Sequence, residues 1–408
     1  MKTVKQAAIL IGGKGTRLGD EVRNTPKPLL EVCGRPFVEH VMLNLRRFGF
    51  EDFVLLAGYQ SNVVREKYGE GSTLAQELCA KITVIVEPSP MGTGGALKYA
   101  QTYLQDEFLL LNGDSIFDFN YLDLCNCTSE PESENWLCRV ALLPVVNATR
   151  YGFVEMKGPR IRAFREKPIL AQSGTVNSGV YWMKSEVLTH IEVAPCSLER
   201  DVFPKLAADG RMIGRVYQGF FIDIGIPEDL HQARDHLLED LRKPAAFLDR
   251  DGTLNHDHGY THKIEEFRWI DGAKSAIKSL NDAGYLVFVV TNQAGVARGY
   301  YDAATVETLH QSMQDELASV GAHIDDFRYC PHHPDGIVPD LAISCDCRKP
   351  KAGMLHSLIE QWHPDLSRSF MLGDSDKDAE AGAAVGIWSR KIQPSHLQRE
   401  IEQLIAHT

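Results

Sequence analysis

The chain has 408 residues, 44% hydrophobic and 24% charged, the balance of a globular enzyme with room for two or three domains. Its net charge is −12, with 26 Lys and Arg against 31 Asp and Glu in residues 1–240 and 17 against 24 thereafter, so neither half has the basic excess of a nucleic-acid binder. No apolar run approaches the ~20 residues that span a bilayer, and the first six residues lead into a strand-like segment without a signal-peptide pattern, so the sequence predicts a soluble, cytoplasmic protein with no membrane partner.

Short apolar runs alternate with amphipathic segments along both halves, the pattern of α/β domains with mostly parallel sheets. In the first half, strands are predicted at 7–11, 53–57, 82–86 and 108–111, with helices at 37–48 and 93–103. The polar stretch 127–135 reads as a surface loop. Pro227 fits the first turn of a helix running to about residue 241. Arg242-Lys243-Pro244 ends that helix, because the residue before proline disfavours helical backbone. The second half opens with a strand at 245–248, followed by helix 272–283, strand 286–290, helix 303–320 and strand 370–372. The predicted domains are 1–241 and 245–408, two Rossmann-like α/β units joined by a short linker.

The first strand runs into Gly12-Gly13-Lys14-Gly15-Thr16-Arg17. Glycines there let backbone N–H groups approach phosphate closely, and Arg17 can clamp phosphate oxygens. The loop is neither a Walker motif nor a dinucleotide fingerprint. With Thr25-Pro26-Lys27-Pro28-Leu29 it resembles the signature of the sugar-1-phosphate nucleotidyltransferases, a GT-A-like fold, and further matching motifs follow in order over about residues 5–240. The resemblance implies that Gly12, Gly13, Gly15 and Thr16 bind nucleotide and that Arg17 and Lys27 act on its triphosphate. Gly92 and Gly94, in Gly92-Thr93-Gly94-Gly95-Ala96, are implied to meet the nucleobase. Glu166 and Lys167, with Asn177 and Gly179 in Asn177-Ser178-Gly179-Val180-Tyr181, are implied for the sugar phosphate. Asp114 and Asp223 are implied to bind Mg. The chemistry needs no protein nucleophile: a sugar phosphate attacks the α-phosphorus of a nucleoside triphosphate, and the protein must hold two anions together and offset the charge that builds.

In the second half, Asp249-Arg250-Asp251-Gly252-Thr253 follows an apolar strand. Two carboxylates two residues apart on extended backbone share a side, so one can attack phosphorus while the other protonates the leaving oxygen. This resembles the haloacid dehalogenase superfamily. Thr291-Asn292-Gln293, Arg348-Lys349-Pro350 and Gly373-Asp374-Ser375-Asp376-Lys377-Asp378 match its later motifs. The resemblance implies that Asp249 is the nucleophile, Asp251 the general acid/base, and that Thr291, Asn292, Arg348 and Lys349 bind substrate. Mg is implied on Asp249, Asp374 and the carbonyl of Asp251. Asp378 fits either a helix start or the catalytic set.

Of nine cysteines, Cys33, Cys79, Cys138 and Cys196 are scattered singly, and Cys125 and Cys127 fall in a polar stretch. The other three cluster, in Cys330-Pro331-His332-His333 and Cys345-Asp346-Cys347. Cys330, His332, Cys345 and Cys347 make a closed set of four ligands for a structural Zn, with His333 the less favoured imidazole. Together with Thr291-Asn292-Gln293-Ala294-Gly295-Val296-Ala297-Arg298-Gly299 and His258-Gly259-Tyr260, this loop resembles the D,D-heptose 1,7-bisphosphate phosphatases, and also the related histidinol-phosphate phosphatases. Ser375 departs from the basic residue that many relatives carry there.

Joined, the resemblances imply an enzyme that removes the 7-phosphate of heptose 1,7-bisphosphate and couples the resulting heptose 1-phosphate to GMP from GTP. Its partners would be small molecules, sugar phosphates and a nucleoside triphosphate; no oligomeric state is specified. Open at this stage are a histidinol-phosphate phosphatase fused to an unrelated transferase, another nucleoside triphosphate, and a non-catalytic phosphosugar sensor.

Overall fold

The computed structural model describes residues 4–13, 15–126, 135–146, 153–165, 173–192 and 194–407. The chain divides into two compact units between Leu241 and Arg242. No helix among the described residues is long and apolar enough to cross a membrane.

In the first unit, strands Gln6–Leu10, Asp52–Ala57, Lys81–Val86 and Glu107–Asn112 form a parallel block. Their spatial order is third, second, first, fourth. The strands are apolar almost throughout because both faces are covered. Ala7, Ile9, Phe53, Leu55, Leu109 and Leu111 enter one core, and Ala8, Val54, Leu56, Phe108 and Leu110 enter the other. Helix Phe37–Arg47 agrees with its predicted span to within a residue. The helix predicted at 93–103 is split: Gly92–Tyr99 is α-helical, and a separate 3-10 turn covers Gln101–Tyr103. Of the predicted loop 127–135, all but Asn135 lies outside the described residues.

Beyond Glu107–Asn112 the sheet changes character. The eleven-residue strand Gly174–Lys184 pairs antiparallel with it, and the sheet continues through Cys138–Val145, Met212–Val216, Arg160–Arg165 and Phe153–Lys157. The α/β class read from the sequence is therefore observed with an antiparallel extension. Separately, Ser115–Asp118 and Phe220–Asp223 form a two-stranded antiparallel pair with Asp223 opposite Ser115. Helix Pro227–Asp240 closes the unit with proline in its first turn.

The second unit has five parallel strands: Asp326–Cys330, Leu286–Asn292, Ala245–Leu248, Phe370–Gly373 and Trp388–Lys391, in spatial order. Alternate residues again feed two cores, Ala246, Leu248, Val287 and Val289 on one side, Phe247, Phe288, Val290 and Met371 on the other. In both units the chain order reverses between the first and fourth strands. Ligands of open α/β sheets bind at such a switch point, beyond the carboxyl ends of the strands. Gly12 and Asp114 in one unit, and Asp249 and Asp374 in the other, occupy these places.

Candidate functional sites

In the first unit the loop after Gln6–Leu10 leads into a 3-10 segment, Thr16–Val22, that leaves Gly13, Thr16 and Arg17 exposed. Lys14 lies outside the described residues. Lys27 heads a second 3-10 turn, Lys27–Leu29, and is only 7% exposed. Its stem runs under the loop: a Cβ at Gly15 (φ 59°) would stand 3.2 Å from Lys27 Cβ. The ammonium donates to Asp114 Oδ2 at 2.6 Å and Asp223 Oδ1 at 3.0 Å. Asp114 follows the fourth strand, and the pairing of Phe220–Asp223 with Ser115–Asp118 brings Asp223 beside it. Burial, and then the Asp114 charge, push the Asp223 carboxyl above its ordinary range, with Lys27 opposing. Two crowded carboxylates with one ammonium retain a net negative charge, an arrangement suited to a divalent cation.

Other residues predicted for this site have hydrogen-bond partners within the unit. The N–H groups of Gly94 and Gly95 both donate to Cys196 O, at 2.9 and 3.3 Å. Asn177 Oδ1 accepts from Gly179 N at 2.9 Å, and its Nδ2 donates to Tyr181 Oη at 2.8 Å, across the irregular stretch of its strand. Glu166 and Lys167 lie outside the described residues. The sequence reading missed Glu87, at the end of the third strand. Its Oε2 accepts from Met91 N at 3.0 Å, and its Oε1 would be 3.5 Å from a Cβ on Gly12, so it faces the glycine loop. Burial raises its carboxyl above the usual range.

In the second unit, Asp249 and Lys349 are both buried, and Lys349 Nζ donates to Asp249 Oδ1 at 2.7 Å and to Val290 O at 2.6 Å. Lys349 also pairs with Asp378 Oδ1 at 2.6 Å. Carboxylate oxygens of Asp249, Asp374 and Asp378 lie within 4.8 Å of one another. Burial pushes the Asp249 carboxyl up, and Asp378 adds to this against Lys349. Asp374 is also raised, by burial and then by Asp378. Three carboxylates face one ammonium, so the charge deficit again fits a divalent cation. Asp378 makes the helix start considered for it, its Oδ2 capping helix Asp376–Ala384 by accepting from Ser375 N at 3.0 Å and Ser375 Oγ at 2.7 Å, while its Oδ1 faces Lys349. Gly252 (φ 82°) is required, since a Cβ there would stand 2.3 Å from Asp374 Oδ2.

Asp251 turns to a different set of partners. Arg250 Nη2 lies 2.9 Å from both its oxygens, Asn255 Nδ2 donates to Oδ1 at 3.1 Å, and Gln293 Nε2 donates to Oδ2 at 2.7 Å. Gln293 also donates to Thr291 Oγ1 at 2.9 Å. Asn292 spends its amide on the backbone of Lys349, accepting from its N–H and donating to its carbonyl, both at 3.1 Å. It therefore positions the lysine.

Cys330, His332, Cys345 and Cys347 converge on one point. Their sulfurs are 3.3 to 3.6 Å apart, and His332 Nδ1 is 3.2 Å from Cys347 Sγ. A zinc–sulfur bond of about 2.3 Å implies tetrahedral sulfur–sulfur edges of about 3.8 Å, so a small relaxation would admit the ion. His333 turns away, its Nδ1 accepting from Asp335 N at 3.1 Å. The loop is tied to the segment after Thr291 by Ala297, which donates to Pro331 O at 3.1 Å and accepts from Ile337 N at 2.8 Å. Arg348 directly follows Cys347, and its Nη1 donates to His332 O at 3.4 Å.

Comparison with known proteins matches this layout. Residues 6–240 match the family described as Nucleotidyl transferase, and residues 244–386 match Polynucleotide kinase 3 phosphatase. A D-glycero-beta-D-manno-heptose-1,7-bisphosphate 7-phosphatase of Rhodopseudomonas palustris is 44% identical over 164 residues, covering 40% of this chain and 91% of that relative. The protein of the same name from Salmonella typhi is 46% identical over 147 residues, 36% of this chain and 78% of the relative. Among solved structures, HddC from Yersinia pseudotuberculosis complexed with GMP-PN is 28% identical, with a TM-score of 0.50, covering 57% of this chain and all of that one.

Proposed function

We propose, for a chain that belongs to the nucleotidyl transferase family over residues 6–240 and to the family of the heptose-bisphosphate phosphatases in its second unit, two consecutive reactions on one sugar. The second unit removes the 7-phosphate of D-glycero-D-manno-heptose 1,7-bisphosphate. The first couples the heptose 1-phosphate to GMP from GTP, releasing pyrophosphate. One observation carries this reading: each unit places a lysine bound to paired carboxylates at the switch point of its sheet, Lys27 with Asp114 and Asp223, Lys349 with Asp249 and Asp378. The names of the relatives supply the sugar, and the guanine nucleotide held by the HddC structure supports the base.

In the phosphatase unit, Asp249 attacks phosphorus, and the bond to the sugar oxygen breaks with its electron pair on that oxygen, which takes a proton from Asp251. Water then attacks the aspartyl-phosphate, giving its proton to Asp251, and Asp249 leaves as carboxylate. Lys349 and Thr291 hold the phosphoryl group. In the transferase unit, an oxygen of the sugar phosphate attacks the α-phosphorus, and the bond to the β-bridging oxygen breaks with its electrons on pyrophosphate. Arg17 and Lys27 hold the triphosphate. Mg ions, held by Asp114 and Asp223 in one unit and by Asp249, Asp374 and the Asp251 carbonyl in the other, would offset charge on the phosphate oxygens. Zinc on Cys330, His332, Cys345 and Cys347 would be structural.

Incubating the chain with heptose 1,7-bisphosphate and each nucleoside triphosphate in turn, followed by mass analysis, tests the reading. GDP-heptose should form and the other nucleotide sugars should not. Lys27→Met should lower GTP-dependent pyrophosphate release by about 10²-fold or more, since a buried cation made for the transition state is lost, while phosphate release persists. We also assign base reading to Glu87, whose carboxylate can accept from the N–H groups of guanine. Glu87→Ala should raise KM for GTP by about tenfold, the effect of one charged hydrogen bond. An unchanged KM in steady-state assays would remove Glu87 from the site.

A further inference from the structure

From its own neighbourhood Asp251 receives hydrogen bonds from Arg250, on both oxygens, and from Asn255, on Oδ1. On Oδ2 the partner from outside that turn is Gln293, which follows the second strand of the sheet and is 2% exposed. The carboxylate of Asp251 takes the N–H end of the Gln293 amide. The other end is anchored by Tyr301, whose hydroxyl donates to Gln293 Oε1 at 2.8 Å. Burial holds that hydroxyl up to about 12, so it stays a donor at neutral pH. The ring itself is clamped. It stacks on His262 with centroids 4.5 Å apart and planes 13° from parallel. It also lies over Gly295, where a Cβ would stand 2.3 Å from its Cε1.

We propose that Tyr301 is a positioning residue for phosphoester cleavage, acting through Gln293 to hold Asp251 where it can protonate the leaving oxygen. The inference rests on the phosphatase reading above. Removing the hydroxyl leaves Gln293 Oε1 a buried acceptor without that partner, so the amide is no longer anchored at its far end. The 2.7 Å bond from Gln293 to Oδ2 then loosens, and Oδ2 is left to Arg250. The Tyr301 hydroxyl bonds Gln293 rather than Asp249, Lys349 or Thr291, and Gln293 keeps its own bond to Thr291 Oγ1 when only that hydroxyl is removed. The effect should therefore fall chiefly on proton delivery.

Leaving groups separate the two. A sugar alkoxide departs only when protonated, whereas p-nitrophenolate departs unaided. We would measure kcat/KM, which reports steps through the first P–O cleavage, for heptose 1,7-bisphosphate and p-nitrophenyl phosphate with the full chain. Tyr301→Phe keeps the ring and its stacking. It should lower kcat/KM about tenfold for the sugar ester and less than about twofold for the aryl ester, as expected for partial loss of general-acid catalysis. Gln293→Leu, which also deprives Thr291 Oγ1 of a donor, should lower kcat/KM for both esters, and adding Tyr301→Phe to it should cost no more, since the hydroxyl acts through Gln293. Equal losses on both esters in Tyr301→Phe, no loss on either, or additive losses in the double variant would overturn the proposal. If the wild-type chain released phosphate from neither ester, the phosphatase reading itself would fall, and this inference with it.

Discussion

Asp249→Asn should abolish phosphate release from heptose 1,7-bisphosphate while leaving pyrophosphate release from GTP and heptose 1-phosphate unchanged. Asparagine has nearly the shape of aspartate but no charged oxygen to attack phosphorus, so the expected loss is about 10⁴-fold or more. The substitution is tolerable for the fold. Lys349 keeps Asp378 at 2.6 Å and Val290 O at 2.6 Å. Asp249 also sits in a site where burial already disfavours its charge, so a neutral isostere removes an electrostatic burden. The transferase serves as an internal control, because its carboxylates belong to the other unit. Parallel assays of phosphate and pyrophosphate on one preparation decide the matter. Loss of both activities in a folded protein would refute separate sites, and retention of phosphatase activity would refute Asp249 as nucleophile.

Removing zinc should have the second large effect. Cys330, His332, Cys345 and Cys347 hold together two ends of a loop that carries Arg348 and Lys349 immediately after its last ligand. Three thiols packed 3.3 to 3.6 Å apart are poorly accommodated without a cation to bind their thiolates. Structural zinc is worth roughly 10 kcal/mol in small zinc-dependent domains. Here the five-stranded sheet has its own cores, so the loop should loosen while the sheet persists. Cys347→Ser, or treatment with a strong chelator, should release about one zinc per chain. Phosphatase kcat/KM should then fall more than about tenfold, because the backbone of Lys349 keeps Asn292 but loses the ordered loop that precedes it. Transferase activity should be spared. Metal content measured by atomic absorption alongside both assays tests this, and full phosphatase activity in zinc-free protein would exclude the structural role.

Much of this was legible in the chain because phosphate chemistry needs particular side chains at strand ends. Asp249-Arg250-Asp251, Thr291-Asn292 and Gly373-Asp374 each follow an apolar run, and the apolar runs are the strands Ala245–Leu248, Leu286–Asn292 and Phe370–Gly373. Strands buried on both faces announce themselves as continuous hydrophobic stretches. The antiparallel extension was quieter. Arg160–Arg165 mixes charged and apolar residues without strict alternation, a weak and short signal that gives no hint of its pairing with Phe153–Lys157. Glu87 was missed because a lone glutamate after a strand carries no motif. Only its placement over Gly12 brings it to the candidate site.

The residue types and their order along the chain determined the two reaction classes, the cysteine and histidine cluster and the strands that carry them, because each depends on local pattern and fixed chemistry. Tertiary structure alone decided which of those residues meet. Lys27 reaches Asp114 across 87 positions and Asp223 across 196. That meeting depends on the register of Ser115–Asp118 against Phe220–Asp223, which no local pattern encodes. In the second unit, packing gave Asp251 its partners Asn255 and Gln293, turned Asn292 toward the Lys349 backbone, and set the Tyr301 hydroxyl on Gln293. Side chains name the chemistry a chain can do; long-range packing sets the distances at which they do it.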